Sequence, residues 1–251
     1  MKKIIFTADD FGLSKGVNLG IVEAFQNGPV RGAGLMANGL AFEHAVALAH
    51  EHPDLPTGVH LTLSAGKSIG GSYRTLTDAQ GYFLSYNNFF EAVKAGIIDM
   101  AEVEAEYELQ IHKILDCGLT PTYFDSHHHT HHLGGVFDVF LKMAERYQIT
   151  KARMFYAQML TDKSQEIKTT EYFLDGFYDK GVTLSHLQSI IQACPGASME
   201  IMTHPAYLDI GLEEISSYSY QRIHELDILT GDDLREFLDN GDYQVCSFKD
   251  L

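Results

Sequence analysis

Short apolar runs, about seven of them, alternate along this chain with stretches of helical periodicity, and that alternation restricts the fold more than any other feature. The run at 3–8 is apolar almost throughout, which suits a strand buried on both faces. Further strands are predicted at 34–38, 58–63, 123–126, 152–155, 198–203 and 243–247. Helices are predicted at 15–26, with Ser14 as N-cap, and at 41–52, 100–117, 136–147 and 184–194, with two more before the last strand. The helix at 100–117 has the clearest pattern, because Val103, Tyr107, Ile111, Ile114 and Leu115 share one face. Residues 64–88 are rich in Gly, Ser and Tyr without a period and read as an elaborated loop, while 156–182 show no assignable pattern.

Strands separated by helices pair in parallel through right-handed crossovers. At 251 residues, the pattern predicts one α/β domain over 1–251, a distorted (β/α) barrel of about seven parallel strands. No glycine-rich phosphate fingerprint follows a strand, so nucleotide folds find no support. Eighteen Lys and Arg against 34 Asp and Glu leave a net charge of −16, which argues against nucleic acid and anionic lipid as partners. No apolar run is long enough to span a membrane, and the opening run meets Asp9 too soon for a signal peptide. Cys117, Cys194 and Cys246 are widely spaced, as expected of reduced thiols in a cytoplasmic protein.

The chemistry collects where strands end. Asp9 and Asp10 follow the first strand, His60 lies in the third, Asp125 introduces the histidine tract 127–132, and His204 follows the strand ending at Thr203. Taken singly, each has an ordinary explanation. Adjacent Asp residues make turns and caps, a lone strand His is a core residue, and a His tract is a solvated, weakly metal-binding segment. In a barrel, however, the C-terminal strand ends meet on one rim. Neighbours in an extended strand point to opposite faces, so Asp9 and Asp10 reach one centre only if the strand has ended, as a turn at Phe11-Gly12 allows. Within the tract, extended backbone would align His127, His129 and His131, whereas helical backbone would align His127 with His131. Imidazoles with one carboxylate suit a divalent ion that activates water, and a second carboxylate can take that water's proton. Metal-assisted hydrolysis is the expected reaction class.

At these same residues the chain resembles the YdjC-like carbohydrate deacetylases, and among them the chitooligosaccharide deacetylases. The similarity rests on Thr-Ala-Asp-Asp-Phe-Gly-Leu-Ser-Lys-Gly at 7–16, Gly-Val-His-Leu at 58–61 and Pro-Thr-Tyr-Phe-Asp-Ser-His-His-His at 121–129. It continues through Thr-His-Pro-Ala-Tyr at 203–207 and Glu-Leu-Asp-Ile-Leu-Thr at 225–230. It implies removal of the N-acetyl group from short amino sugars such as diacetylchitobiose, with release of acetate. It also implies Asp10, His60 and His127 as metal ligands, Asp9 as general base and His204 as acid. Family usage suggests Mg²⁺, whereas imidazole ligands favour Zn²⁺; a homodimer is a further family expectation. Asp125 either orients a ligand His or caps the following turn. Arg153, Phe177 and Tyr178 are candidates for holding the oligosaccharide. Two rival readings are a glycoside hydrolase, which would use two carboxylates and no metal, and a non-catalytic metal-binding protein.

Overall fold

Strand β1 (Lys2–Phe11) is the axis of the molecule, buried along nearly its whole length. It pairs in parallel with three other strands. Lys3–Ala8 run beside β6 (Ser198–Thr203), Phe6–Phe11 beside β2 (Val30–Leu35), and Lys2–Ile4 beside β7 (Tyr243–Val245). Strands β3 (Thr57–Leu61) and β4 (Phe124–Ser126) continue beyond β2, and β5 (Tyr172–Leu174) lies outside β6. The computed structural model describes residues 1–154 and 167–251, and over these the seven strands form one curled parallel sheet, ordered β4-β3-β2-β1-β6-β5 with β7 on β1. Isolated parallel bridges, Phe124–Ala152 and Lys151–Lys168, carry the curl onward from β4. This is the expected α/β class, with a barrel left partly open among the described residues.

Helices α1 (Lys15–Asn27), α2 (Phe42–Glu51), α4 (Met100–Asp116), α5 (Gly134–Arg146), α6 (Leu184–Ala193) and α8 (Tyr220–Thr230) accompany the sheet, with α3 (Tyr86–Lys94), α7 (Ile210–Ile215) and α9 (Asp232–Asn240). Ser14 caps α1 as expected, its side chain accepting from the Val17 amide, and Val17, Ile21 and Ala24 form the buried side. Inside the curl, β1 alternates in the usual way for a strand. Ile4, Phe6 and Ala8 join the large core, while Ile5 packs with Tyr123, Cys246 and Phe248 in a separate cluster. Tyr123 and Phe248 stack at 4.3 Å.

Several boundaries differ from expectation. Strand β2 begins at Val30 rather than at 34, because its register against β1 starts at Phe6–Val30. Strand β1 continues through Asp9 and Asp10 instead of stopping before them. Helix α3 begins inside the segment expected to be a loop and buries only Phe89. Of the strand expected at 152–155, Ala152 bridges to Phe124, and residue 155 lies outside the described residues. All three cysteines are free, and no helix among the described residues is long and apolar enough to cross a membrane.

Candidate metal centre

Consecutive strand residues should face apart, yet Asp9 and Asp10 line one cavity of about 620 Å³. The cause is local. Asp10 has φ of 69°, a left-handed conformation that Asp tolerates better than most residues, and the β1–β2 register shifts between Ala8 and Phe11. The irregularity turns Asp10 back toward the mouth. There its Oδ1 lies 2.8 Å from His127 Nδ1 and 3.5 Å from His60 Nε2, and its Oδ2 accepts from Arg222 Nη2 at 2.6 Å.

His60 reaches this point because Gly34, on the neighbouring strand, has no side chain. A Cβ there would lie 2.9 Å from His60 Nδ1. His60 and Asp125 are register partners across β3 and β4, and His60 Nδ1 sits 2.8 Å from Asp125 Oδ1, which leaves Nε2 toward Asp10. One ligand atom each from Asp10, His60 and His127 lie within 4.8 Å of one another. One carboxylate oxygen and two imidazole nitrogens, with a carboxylate behind one ring, fit a divalent cation and leave room for water and ligand. A second grouping, Asp9, His60 and Asp125, is equally compact but fits less well, because Asp9 has both oxygens engaged.

Arg153 accounts for that engagement. Its Nη1 and Nη2 donate to the two Asp9 oxygens at 2.7 Å each, its Nε donates to Glu200 Oε1 at 2.8 Å, and Nη1 lies 3.2 Å from Asp125 Oδ2. Burial pushes the Asp9 carboxyl above its ordinary range, more than the Arg153 charge pulls it down. Burial likewise lifts Glu200 to about 7 against the same guanidinium. A buried carboxylate raised in this way has the character of a general base. Arg153 was expected to hold sugar, as was Phe177, but both are fully buried and neither lines the cavity. The guanidinium is committed to three carboxylates, and Phe177 belongs to the main core. Tyr178 does reach the cavity, 43 % exposed and stacked on Tyr218 at 4.1 Å.

The histidine tract is neither extended nor regularly helical. His128 and His129 both have left-handed backbone, with φ of 53° and 54°. The kink distributes the imidazoles. His127 turns to Asp10, His128 Nδ1 lies 2.9 Å from Ser64 Oγ, and the buried His131 stacks on Phe140 at 4.6 Å with its Nε2 near the Arg153 carbonyl. His204, just beyond β6, donates its backbone N–H to Glu225 Oε2 at 2.5 Å, and its Nδ1 stands 3.8 Å from Glu225 Oε1. Burial first, then the Arg222 charge, hold His204 well below the ordinary imidazole range. Burial raises Glu225 to about 8, despite hydrogen bonds from Tyr218 and His204. The pair therefore favours neutral forms of both groups.

The sequence by itself assigns Arg222, Tyr218 and Glu200 no part in the site, and Glu225 stands there only as the first residue of the 225–230 motif. A charged residue inside the apolar run 198–203 was the available signal for Glu200. The spacing of Arg222 and Glu225, one turn apart on α8, was the signal for the other charged pair. The cavity wall at Ser64–Gly66 is held from α4. Gln110 accepts from the Thr62 N–H and donates to its carbonyl, and Glu106 accepts from the amides of Ile69 and Gly70.

A curled parallel sheet with an Asp-His cluster at the C-terminal strand ends is the plan of a barrel enzyme whose loops carry the chemistry. The chain belongs to the YdjC-like protein family, whose sequence profile matches residues 3–240. It is 36% identical to a carbohydrate deacetylase of Clostridium beijerinckii over 253 residues, covering 99% of this chain and 100% of the relative. It is 41% identical to a carbohydrate deacetylase of Listeria monocytogenes serotype 4a over 255 residues, with the same coverage. A crystal structure from Enterococcus faecalis V583, provisionally assigned to cellobiose-phosphate cleavage, superposes with a TM-score of 0.89 at 29% identity, covering 99% of this chain and 98% of that one. A family 4 carbohydrate esterase of Streptomyces lividans shares the fold alone, at a TM-score of 0.51 and 10% identity over 98% of this chain and 91% of its own.

Proposed function

We propose that the chain is a metal-dependent carbohydrate deacetylase that removes the N-acetyl group from short amino sugars, chitooligosaccharides such as diacetylchitobiose among them. The observation that carries this reading is the convergence of Asp10, His60 and His127 beside Asp9 in one cavity. The deacetylase names of the Clostridium and Listeria relatives support it. A divalent cation held by the triad would supply Lewis acidity to water and to the amide carbonyl.

The remaining work falls to protein side chains. Asp9, oriented through both oxygens by Arg153, takes a proton from the attacking water. Asp125 fixes the ring of His60 and so the direction of its Nε2. His204 faces the same cavity and serves the departing amine, but its burial means that a proton must reach it during the reaction. Tyr178 offers an exposed ring on which a sugar face can stack.

Replacing Asp9 with Asn should lower acetate release by about 100-fold or more while the protein keeps its cation. Parallel loss of both would instead make Asp9 a ligand. An aryl acetate, whose leaving group needs no proton, should tolerate His204→Ala and not Asp9→Asn. The cellobiose-phosphate assignment of the Enterococcus protein favours glycoside cleavage as a second reading. Diacetylchitobiose separates the two, since deacetylation yields acetate and an intact disaccharide, and glycoside cleavage yields monosaccharides.

A further inference from the structure

Arg222 is 3% exposed, and two contacts immobilise it. Its Nε donates to the Tyr218 carbonyl at 2.8 Å, and its Nη2 donates to Asp10 Oδ2 at 2.6 Å. Its third nitrogen is different. Nη1 is buried and has no hydrogen-bond partner among the described residues, although the residue lines the cavity that holds Asp10, His60 and His127. A buried guanidinium donor left unpaired is unfavourable, and such groups are ordinarily satisfied by a protein group, an ordered water or a bound ligand.

We infer that Arg222 Nη1 is a binding donor for the acyl oxygen of the ligand, first the acetamide carbonyl and then a carboxylate oxygen of the released acetate. The inference rests on the deacetylase reading and assigns to it a contact with the reacting group. Three observations support it. A guanidinium nitrogen only donates, so its best partner is an oxygen that only accepts, as carbonyl and carboxylate oxygens do and sugar hydroxyls do not. Among the described residues lining the cavity, Arg222 is the sole lysine or arginine. Leu13, Met202 and Ile215 give the same cavity apolar surface suited to a methyl group. Because Asp10 presents Oδ1 to the two imidazoles and Oδ2 to Arg222, one carboxylate ties the donor to the cation site. A fixed donor of this kind strengthens its bond as negative charge develops on the oxygen.

The test uses the full-length, cation-loaded protein, with acetate as the probe. Arg222→Lys keeps a positive charge near Asp10 but lacks the rigid fork. With cation content equal to wild type, its acetate affinity measured by calorimetry should weaken about tenfold or more. Its kcat should fall about 100-fold, more than KM changes, and millimolar guanidinium should partly restore Arg222→Ala. Wild-type acetate affinity in Arg222→Lys overturns the inference. Should both variants lose the cation, wild-type crystals soaked in acetate decide: an acetate oxygen within hydrogen-bond distance of Nη1 supports it, and acetate elsewhere or absent refutes it. Acetate at Arg222 in a protein that never deacetylates sugars would refute the activity and leave the donor standing. Deacetylation with unchanged acetate affinity in Arg222→Lys would do the reverse.

Discussion

His60 shows how neighbours override an intrinsic preference. Burial opposes its protonation, but the charges of Asp125 and Asp9 and hydrogen bonds to Asp10 and Asp125 push it up to about 10, from an ordinary value of 6.5. Raised in the folded state, it contributes stability that is complete below about pH 6.5 and is lost as pH climbs toward 10. The cation-free protein therefore carries imidazolium at position 60 at pH 7. A cation must expel that proton before Nε2 can bind it. Calorimetric titration with Zn²⁺ or Mg²⁺ in buffers of unequal ionisation enthalpy should show about one proton released per cation at pH 7. No release would remove His60 from the ligand set.

At the scale of elements, α4 matters for its polar face as much as its apolar one. Val103, Tyr107, Ile111 and Ile114 anchor it in the core, as the periodicity predicts. Between them Glu106 and Gln110 are also fully buried, and they hold the backbone of the segment after β3 that forms one wall of the cavity. Glu106→Ala would strip the amides of Ile69 and Gly70 of their acceptor, at a cost of about 1–3 kcal/mol. The urea midpoint should drop accordingly, and KM should rise more than kcat falls, since the wall moves while Asp9 and the triad do not. An unchanged midpoint would mean that water replaces the carboxylate. The β1 bulge is the other decisive element, because without the left-handed turn at Asp10 the two carboxylates would face opposite sides of the sheet.

Across the whole molecule, the site concentrates negative charge. Asp9, Asp10, Asp125, Glu200 and Glu225 are buried around Arg153 and Arg222, so ionised carboxylates would outnumber guanidiniums. Burial answers part of this excess by raising Glu200 to about 7 and Glu225 to about 8. A divalent cation would answer more of it, and binding only the folded state, it would stabilise the fold by mass action. At a free concentration about 100 times its Kd, the gain is about 2.7 kcal/mol. The melting temperature should rise with added divalent cation in the wild type and stay flat in Asp10→Ala. A rise of equal size in both would place the cation elsewhere.

The sequence alone determined the alternation of strands and helices, and with it the class of fold, because burial on both faces writes short continuous apolar runs that are recognisable without tertiary information. It also placed Asp9, Asp10, His60, His127 and His204 near strand ends, since position relative to a strand is a local property. Partnership is not local. Arg153 lies 144 residues from Asp9, and Arg222 lies 212 from Asp10, so only the assembled sheet showed the first as a buried anchor rather than a sugar contact and brought the second to the site. The same holds for the aim of a side chain. A single left-handed residue at Asp10 and two in the histidine tract reverse directions that regular geometry would set, and such backbone states are selected by the packing around them, not by residues three or four positions away.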